Sequence, residues 1–341
     1  MSEKWIYWFE ELSSAENDLV GKKCANLGEM TKLGMRVPPG FAIGVHGYEK
    51  FMEACGAGEE IRRYVHDNRQ YMDKVDKQVE AGRKIRGIIE SKEMPEEMKL
   101  TLDSHYADLC KKVGTENLPV AVRSSGSVSM PGQMETYLNV RGPEDLTEKV
   151  IRVWGSAFTT RAIAFRLEQG MEIERAPIGV AVLRMVDARS AGVCLTVLPT
   201  IGDTSKIVVE GNWGLGESVV SGEITPDQFI VDKEGGAYES VVGDKSKMVC
   251  YSDTGICMKE VPADMRSKLC LEDAELREIV SIAKNVEAHF QMPQDMEWVL
   301  DDALPFPESL FWVQTRPAKY TKPKTDDAEY LAELMTRLFQ T

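Results

Sequence analysis

The 341-residue sequence has few of the residues that build metal and redox sites. Its four histidines sit in "GVHGY", "YVHDN", "DSHYA" and "EAHFQ", none near a cysteine or a second histidine, which argues against a zinc site. The seven cysteines are scattered, odd in number and without a C-x-x-C pair, so reduced thiols are expected. Long apolar runs are missing too. None approaches transmembrane length, and the opening "MSEKWIYWFEELSS" carries acids where a signal peptide would have an apolar core. A cytoplasmic location is the expectation. Positive charge is in deficit: 41 Lys and Arg against 55 Asp and Glu leave a net charge of −14, which speaks against nucleic acid or an anionic membrane as partner. Any phosphate must therefore be bound by a local basic pocket. Internal repeats, low-complexity segments and regular βαβαβ alternation are absent.

What is present is a globular composition, 43% hydrophobic and 28% charged, in a chain long enough for two or three subdomains. A helix over "KKCANLGEMTKLG" ends at Gly34, before the extended turn "RVPPGFAI". Residues 48–113 read as helical: Met72, Val75, Val79, Gly82, Ile85 and Ile89 recur at helical spacing, and Met98, Leu102, Tyr106 and Leu109 follow Pro95. From "LPVAVRSS" onward strands dominate, at 119–124, 137–140, 178–186, 192–198, 207–210 and 228–231. Helices are expected at 147–169, at 264–290 and after Thr325. "VAVLRMVDARSAGVCLTV" reads as two strands joined by a charged turn.

Several stretches carry polar chemistry. In "LVGKKCANLGEM" Gly21, Lys22 and Lys23 precede a helix whose N-terminus suits an anion, though lysines there are also often solvated. "LPVAVRSSGSVSMPGQMETYLNV" delivers Arg123 on a strand into a small-residue loop, suited either to phosphate oxygens or to an ordinary hairpin. "GNWGLGESVVSGEITPDQF" is glycine-rich but lacks the acidic partner of a dinucleotide fold. In "QDMEWVL … LFWVQTRP" strand alternation puts Asp295 and Glu297 on one face of the first strand and Gln314 and Arg316 on one face of the second. Antiparallel pairing of Leu300 with Phe311 would set Glu297 against Gln314 and Asp295 against Arg316. Such a patch suits Mg²⁺ and phosphate, or it is a cross-strand ion pair facing water.

Taken in order, "VGKKCANLGEM", "RVPPGFAI", "AVRSSGSVSMPGQMETYLNV", "SAFTTRAIAFR", "VLRMVDARSAGV", "WGLGESVVSGEITPDQF" and "QDMEWVL … LFWVQTRP" resemble the N-terminal ATP-grasp domain of phosphoenolpyruvate synthase, pyruvate phosphate dikinase and rifampicin phosphotransferase. The likeness runs from about residue 18 to 318. It implies an α/β (α+β) ATP-grasp fold with a helical insertion near 48–113. Two subdomains, 1–190 and 191–320, would clasp ATP, and 321–341 would be a helical tail.

The resemblance also implies roles. Lys23 and Arg123 would bind phosphates, with Arg316, as the catalytic cations. Gly132, Thr136, Leu183, Met185, Val186 and Glu217 would contact the nucleotide, and Glu297 and Gln314 would bind Mg²⁺. Leu183 stands where the family often has Gln, and Lys22 where it has Gly. The family's phosphohistidine motif does not surround any of the four histidines. The implied role is thus the ATP-binding subunit of a split dikinase, as in phenylphosphate synthase, serving a histidine on a separate subunit. A nucleotide sensor without transfer chemistry and a direct small-molecule kinase are the alternatives.

Overall fold

The computed structural model describes residues 4–127, 134–252 and 255–321. The chain forms two compact units. The first comprises Met1–Asp187, Cys250–Met258 and Phe311–Gln314, and the second Ala188–Val249, Lys259–Leu310 and Thr315–Thr341.

The first unit opens with β1 (Ile6–Trp8), α1 (Asn17–Val20), α2 (Lys22–Lys32) and β2 (Gly40–Ile43). Four helices follow: α3 (Val45–Ala54), α4 (Ala57–Asn68), α5 (Val75–Glu90) and α6 (Glu96–Val113). Then come β3 (Val120–Ser125), β4 (Thr136–Val140), α7 (Pro143–Ser156), α8 (Thr160–Glu168) and β5 (Gly179–Arg184). The five strands form one antiparallel sheet in the order β1-β2-β5-β3-β4. Its core includes Phe41, Phe51, Trp154 and Phe158, all fully buried. Each such side chain contributes roughly 1.5–3 kcal/mol through burial.

The helical insertion is present, with one difference in α5. Val75 and Val79 are exposed, and the buried face is Gln78, Ala81, Gly82, Ile85, Ile88 and Ile89. The Gln78 amide satisfies its buried donor on Met72 O at 3.0 Å, so a polar residue occupies a place the apolar periodicity assigned to its neighbours. In α6, Met98, Leu102, Tyr106 and Leu109 are buried as their spacing predicts.

The second unit is built on β6 (Ala188–Leu195), β7 (Lys206–Trp213), α9 (Glu217–Val220), β8 (Asp227–Asp232) and β9 (Tyr238–Val241). These are followed by α10 (Ala263–Arg266), α11 (Asp273–Phe290) and β12 (Gln294–Asp301), while β10 (Lys247–Ser252), β11 (Gly255–Glu260) and β13 (Leu310–Pro317) are divided between the units by the bounds above. Six strands order as β13-β12-β6-β7-β8-β9, while β10 and β11 pair with each other. The two strands expected within 180–197 are present as β5 and β6, which do not pair but lie in different sheets. The expected helix at 147–169 is broken at Ala157–Thr159, where the Thr159 hydroxyl caps α8 by accepting from Ala162 N–H at 3.2 Å. The expected tail helix after Thr325 lies outside the described residues.

Candidate functional site

In the first unit the basic residues gather where α2 meets the end of β3. Gly21 has φ +78°, and a Cβ built there would stand 1.9 Å from Ser125 O, so only glycine allows this approach. Lys22 N–H donates to Gly126 O at 3.0 Å and Cys24 N–H to Ser125 Oγ at 3.1 Å. Two of the helix's first N–H groups are thus spent on the β3 end rather than left for an anion. Lys22 is exposed and Lys23 half-buried, so positive charge reaches this corner through side chains. Cys24 is buried, which pushes its thiol up to about 12 and keeps it neutral and inert.

Arg123 projects from β3, with Thr136 and Ala181 as its cross-strand neighbours. Its guanidinium donates to Val313 O at 3.1 Å and to Gln314 Oε1 at 3.2 Å. Two residues predicted for different tasks, phosphate and metal binding, are therefore in direct contact across 191 positions of sequence. Thr136, the first residue of β4, is exposed, and Gly132 lies outside the described residues.

The three residues expected to frame the base lie at and beyond the end of β5. Leu183 pairs with Gly40 and Ala121, and its side chain is buried in the core, as are those of Met185 and Val186. Met185 N–H donates to Pro119 O at 2.9 Å, and Val186 O accepts from Tyr251 Oη at 2.7 Å. Any contact these residues make with a base would run through main-chain atoms with lone pairs still available, such as the carbonyls.

In the second unit Glu297 lies on β12 opposite Val193, and Asp295 lies opposite Leu195. Asp295 holds Arg316 by a two-pronged ion pair, with Arg316 Nη2 at 2.7 Å and Nε at 2.8 Å from Oδ2. Ala318 N–H to Pro293 O at 2.8 Å and Thr315 Oγ1 to Gln294 Oε1 at 3.1 Å fix the same alignment. Arg316 therefore keeps both the cross-strand pair and an outward part, since its side chain is 42% exposed. Glu217 opens the one-turn helix α9, just after the glycine-rich end of β7.

One polar group was not legible in the sequence. Lys245, in "VGDKSKMV", reads as a solvated lysine, yet its side chain is fully buried in an ion pair with the equally buried Asp227. Asp227 also accepts from Gly243 N–H at 2.9 Å and Cys270 N–H at 2.7 Å. Its only sequence signal is an aspartate inside the apolar alternation of "DQFIVD".

Comparison with known proteins puts these residues in a common frame. The family model described as pyruvate phosphate dikinase, AMP/ATP-binding domain, matches residues 17–335. The probable phosphoenolpyruvate synthase of Methanothermobacter thermautotrophicus is 37% identical over 333 residues, which cover 96% of this chain and 48% of that protein. The phosphoenolpyruvate synthase of Pyrococcus furiosus is 32% identical, over 98% of this chain and 46% of its own length. That of Aeropyrum pernix is 34% identical, over 96% and 44%. The chain spans about half the length, or less, of the curated relatives it matches.

Proposed function

The chain belongs to the family of pyruvate phosphate dikinase AMP/ATP-binding domains, and from that premise we propose that it binds Mg²⁺–ATP and passes a phosphoryl or pyrophosphoryl group to a histidine on a partner subunit. At the coarser level it is a nucleotide-binding phosphotransfer module of the phosphoenolpyruvate synthase and pyruvate phosphate dikinase family. The observation that supports the finer reading is the Arg123 guanidinium, oriented by Val313 O and Gln314 Oε1 at the end of a strand beside Lys22 and Lys23. A fork-shaped cation held by its neighbours suits phosphate oxygens better than a free lysine does.

The residues present fit magnesium. Mg²⁺ takes a few oxygen ligands and keeps several waters, so one carboxylate and one amide oxygen, Glu297 and Gln314, suffice. Among the described residues there is no group of three or more His, Cys, Asp or Glu that would select a softer ion. When bound, the ion would neutralise charge on the phosphates. The protein's own part is then to hold the oxygens with Arg123, Lys23 and Arg316 and to keep them from water.

The acceptor is assigned to a partner because none of the four histidines stands in the family's phosphohistidine motif, and three of them have contacts of their own. His105 Nδ1 lies 2.8 Å from Thr101 O, with its ring against Trp8 and Phe41, and His46 Nδ1 lies 3.3 Å from Glu49. His289 packs edge-on against Phe290. The final small molecule would be one that receives its phosphate from that partner, such as phenol or pyruvate. Incubation with β- and γ-labelled ATP, with and without the partner, tests the proposal. AMP together with label on a partner histidine is the expected result. ADP with γ-label on a small molecule, no partner being required, would replace it with a simple kinase.

A further inference from the structure

Away from the residues assigned above, the first unit contains a set of buried donors with nothing to donate to. Arg166, on α8, is 3% exposed, and its Nε and Nη2 have no hydrogen-bond partner. Its guanidinium stacks on Phe158, 5.1 Å from the ring centroid. The hydroxyl of Tyr48 and Nε1 of Trp154 are likewise buried and unpartnered, and the two rings meet edge-on at 6.2 Å. Tyr48 is close enough to Arg166 for each to influence the other's ionisation. Burial pulls the guanidinium down to about 10, which still leaves it charged at neutral pH.

A buried charge without a counter-charge is among the costliest features a fold can carry. No carboxylate among the described residues pairs with Arg166. Glu49, which also bears on Tyr48, has Arg175 at 3.9 Å and His46 at 3.3 Å. Arg166 instead lines a cavity of about 70 Å³, together with Gly126, Ser127, Phe165, Arg175 and Ile178. At about 10–15 Å³ of such space for one water, that is room for a small ion.

A water there could accept from the Arg166 guanidinium but would leave its charge uncompensated, since no described side chain supplies a counter-charge. An anion both accepts from the guanidinium and supplies that counter-charge. We infer that Arg166 is the centre of a second anion site, beside the loop that follows β3, that takes one small inorganic anion of halide size with Arg175 at its lining. Nothing in this inference depends on how ATP is bound.

The test uses the whole chain, with sodium gluconate exchanged for sodium bromide or chloride at constant ionic strength. The melting temperature of the wild type should rise saturably with halide. Bromide-soaked crystals should show anomalous density in contact with the Arg166 guanidinium. Arg175→Met, which removes the second cation of the lining, should raise the halide midpoint several-fold, and Arg166→Met should abolish the response. A flat wild-type response, an unchanged midpoint in Arg175→Met, or density absent from Arg166 would overturn the site. A response to phosphate but not to bromide would overturn its assignment to a halide-sized ion.

Discussion

Gly21 shows how a single residue positions the basic corner of the first unit. With φ at +78° and the carbonyl of Ser125 where a Cβ would go, it lets α2 start directly on the end of β3. Gly21→Ala meets both a left-handed backbone and a main-chain collision, so it should cost about 3 kcal/mol or more in a denaturant titration. Lys22→Ala, next to it but exposed, should stay within about 0.5 kcal/mol. Equal effects from the two would show that the close approach is not what the glycine supplies. The buried pair of Asp227 and Lys245 makes a second residue-scale case. Asp227→Ala strands a fully buried ammonium and two N–H groups, and should destabilise by about 3–5 kcal/mol. A smaller loss would mean that water reaches Lys245.

At the scale of elements, the hairpin of β7 and β8 ties its ends with Lys206 and Asp232, 2.8 Å apart, and Asp232 also accepts from Glu234 and Gly235 N–H. The hydrogen bond from Lys206, and then the two backbone N–H groups, hold the Asp232 carboxyl down at about 2. A carboxyl depressed on folding stabilises above its unfolded value of about 3.9 and loses that contribution as the pH falls towards 2. An NMR titration should therefore find the Asp232 midpoint near 2 and find it higher in Lys206→Met. An unshifted midpoint in that variant would assign the depression to the turn's backbone alone. Elements of this kind were only partly legible in the sequence. Strands β3, β5, β8, β12 and β13 announce themselves by apolar runs, and the helices by caps and periodicity. Strand β9, exposed at all four positions, has no apolar signal to read. The break between α10 and α11 follows from a tertiary contact, Cys270 N–H on Asp227, that no local pattern carries. The candidate site could be read only as residue types in motifs. The hydrogen bond from Arg123 to Gln314 was not, because it depends on packing between strands 191 positions apart.

At the scale of the molecule, a chain with net charge −14 is proposed to hold one of the most highly charged small anions in the cell. Long-range attraction therefore opposes rather than assists binding, and affinity must come from contacts made at short range. If Lys23, Arg123 and Arg316 make those contacts, stabilisation should track the phosphates and not the base. Ligand at about 100 times its dissociation constant stabilises the folded state by about 2.7 kcal/mol, enough for a clear rise in melting temperature. Mg²⁺–ATP should produce that rise, adenosine at the same concentration much less. Arg123→Ala should reduce the Mg²⁺–ATP shift while leaving the small adenosine shift unchanged. Glu297→Ala should remove the dependence on Mg²⁺, so that ATP gives the same shift with the metal as with a chelator. Arg316→Ala separates binding from stability in the ligand-free protein. Its partly exposed pair with Asp295 should be worth less than about 1 kcal/mol, so a large loss of the ATP shift in a normally stable variant would place Arg316 on the phosphates. A full ATP shift in all three variants would remove these residues from the binding site, and with them the proposed route for phosphoryl transfer.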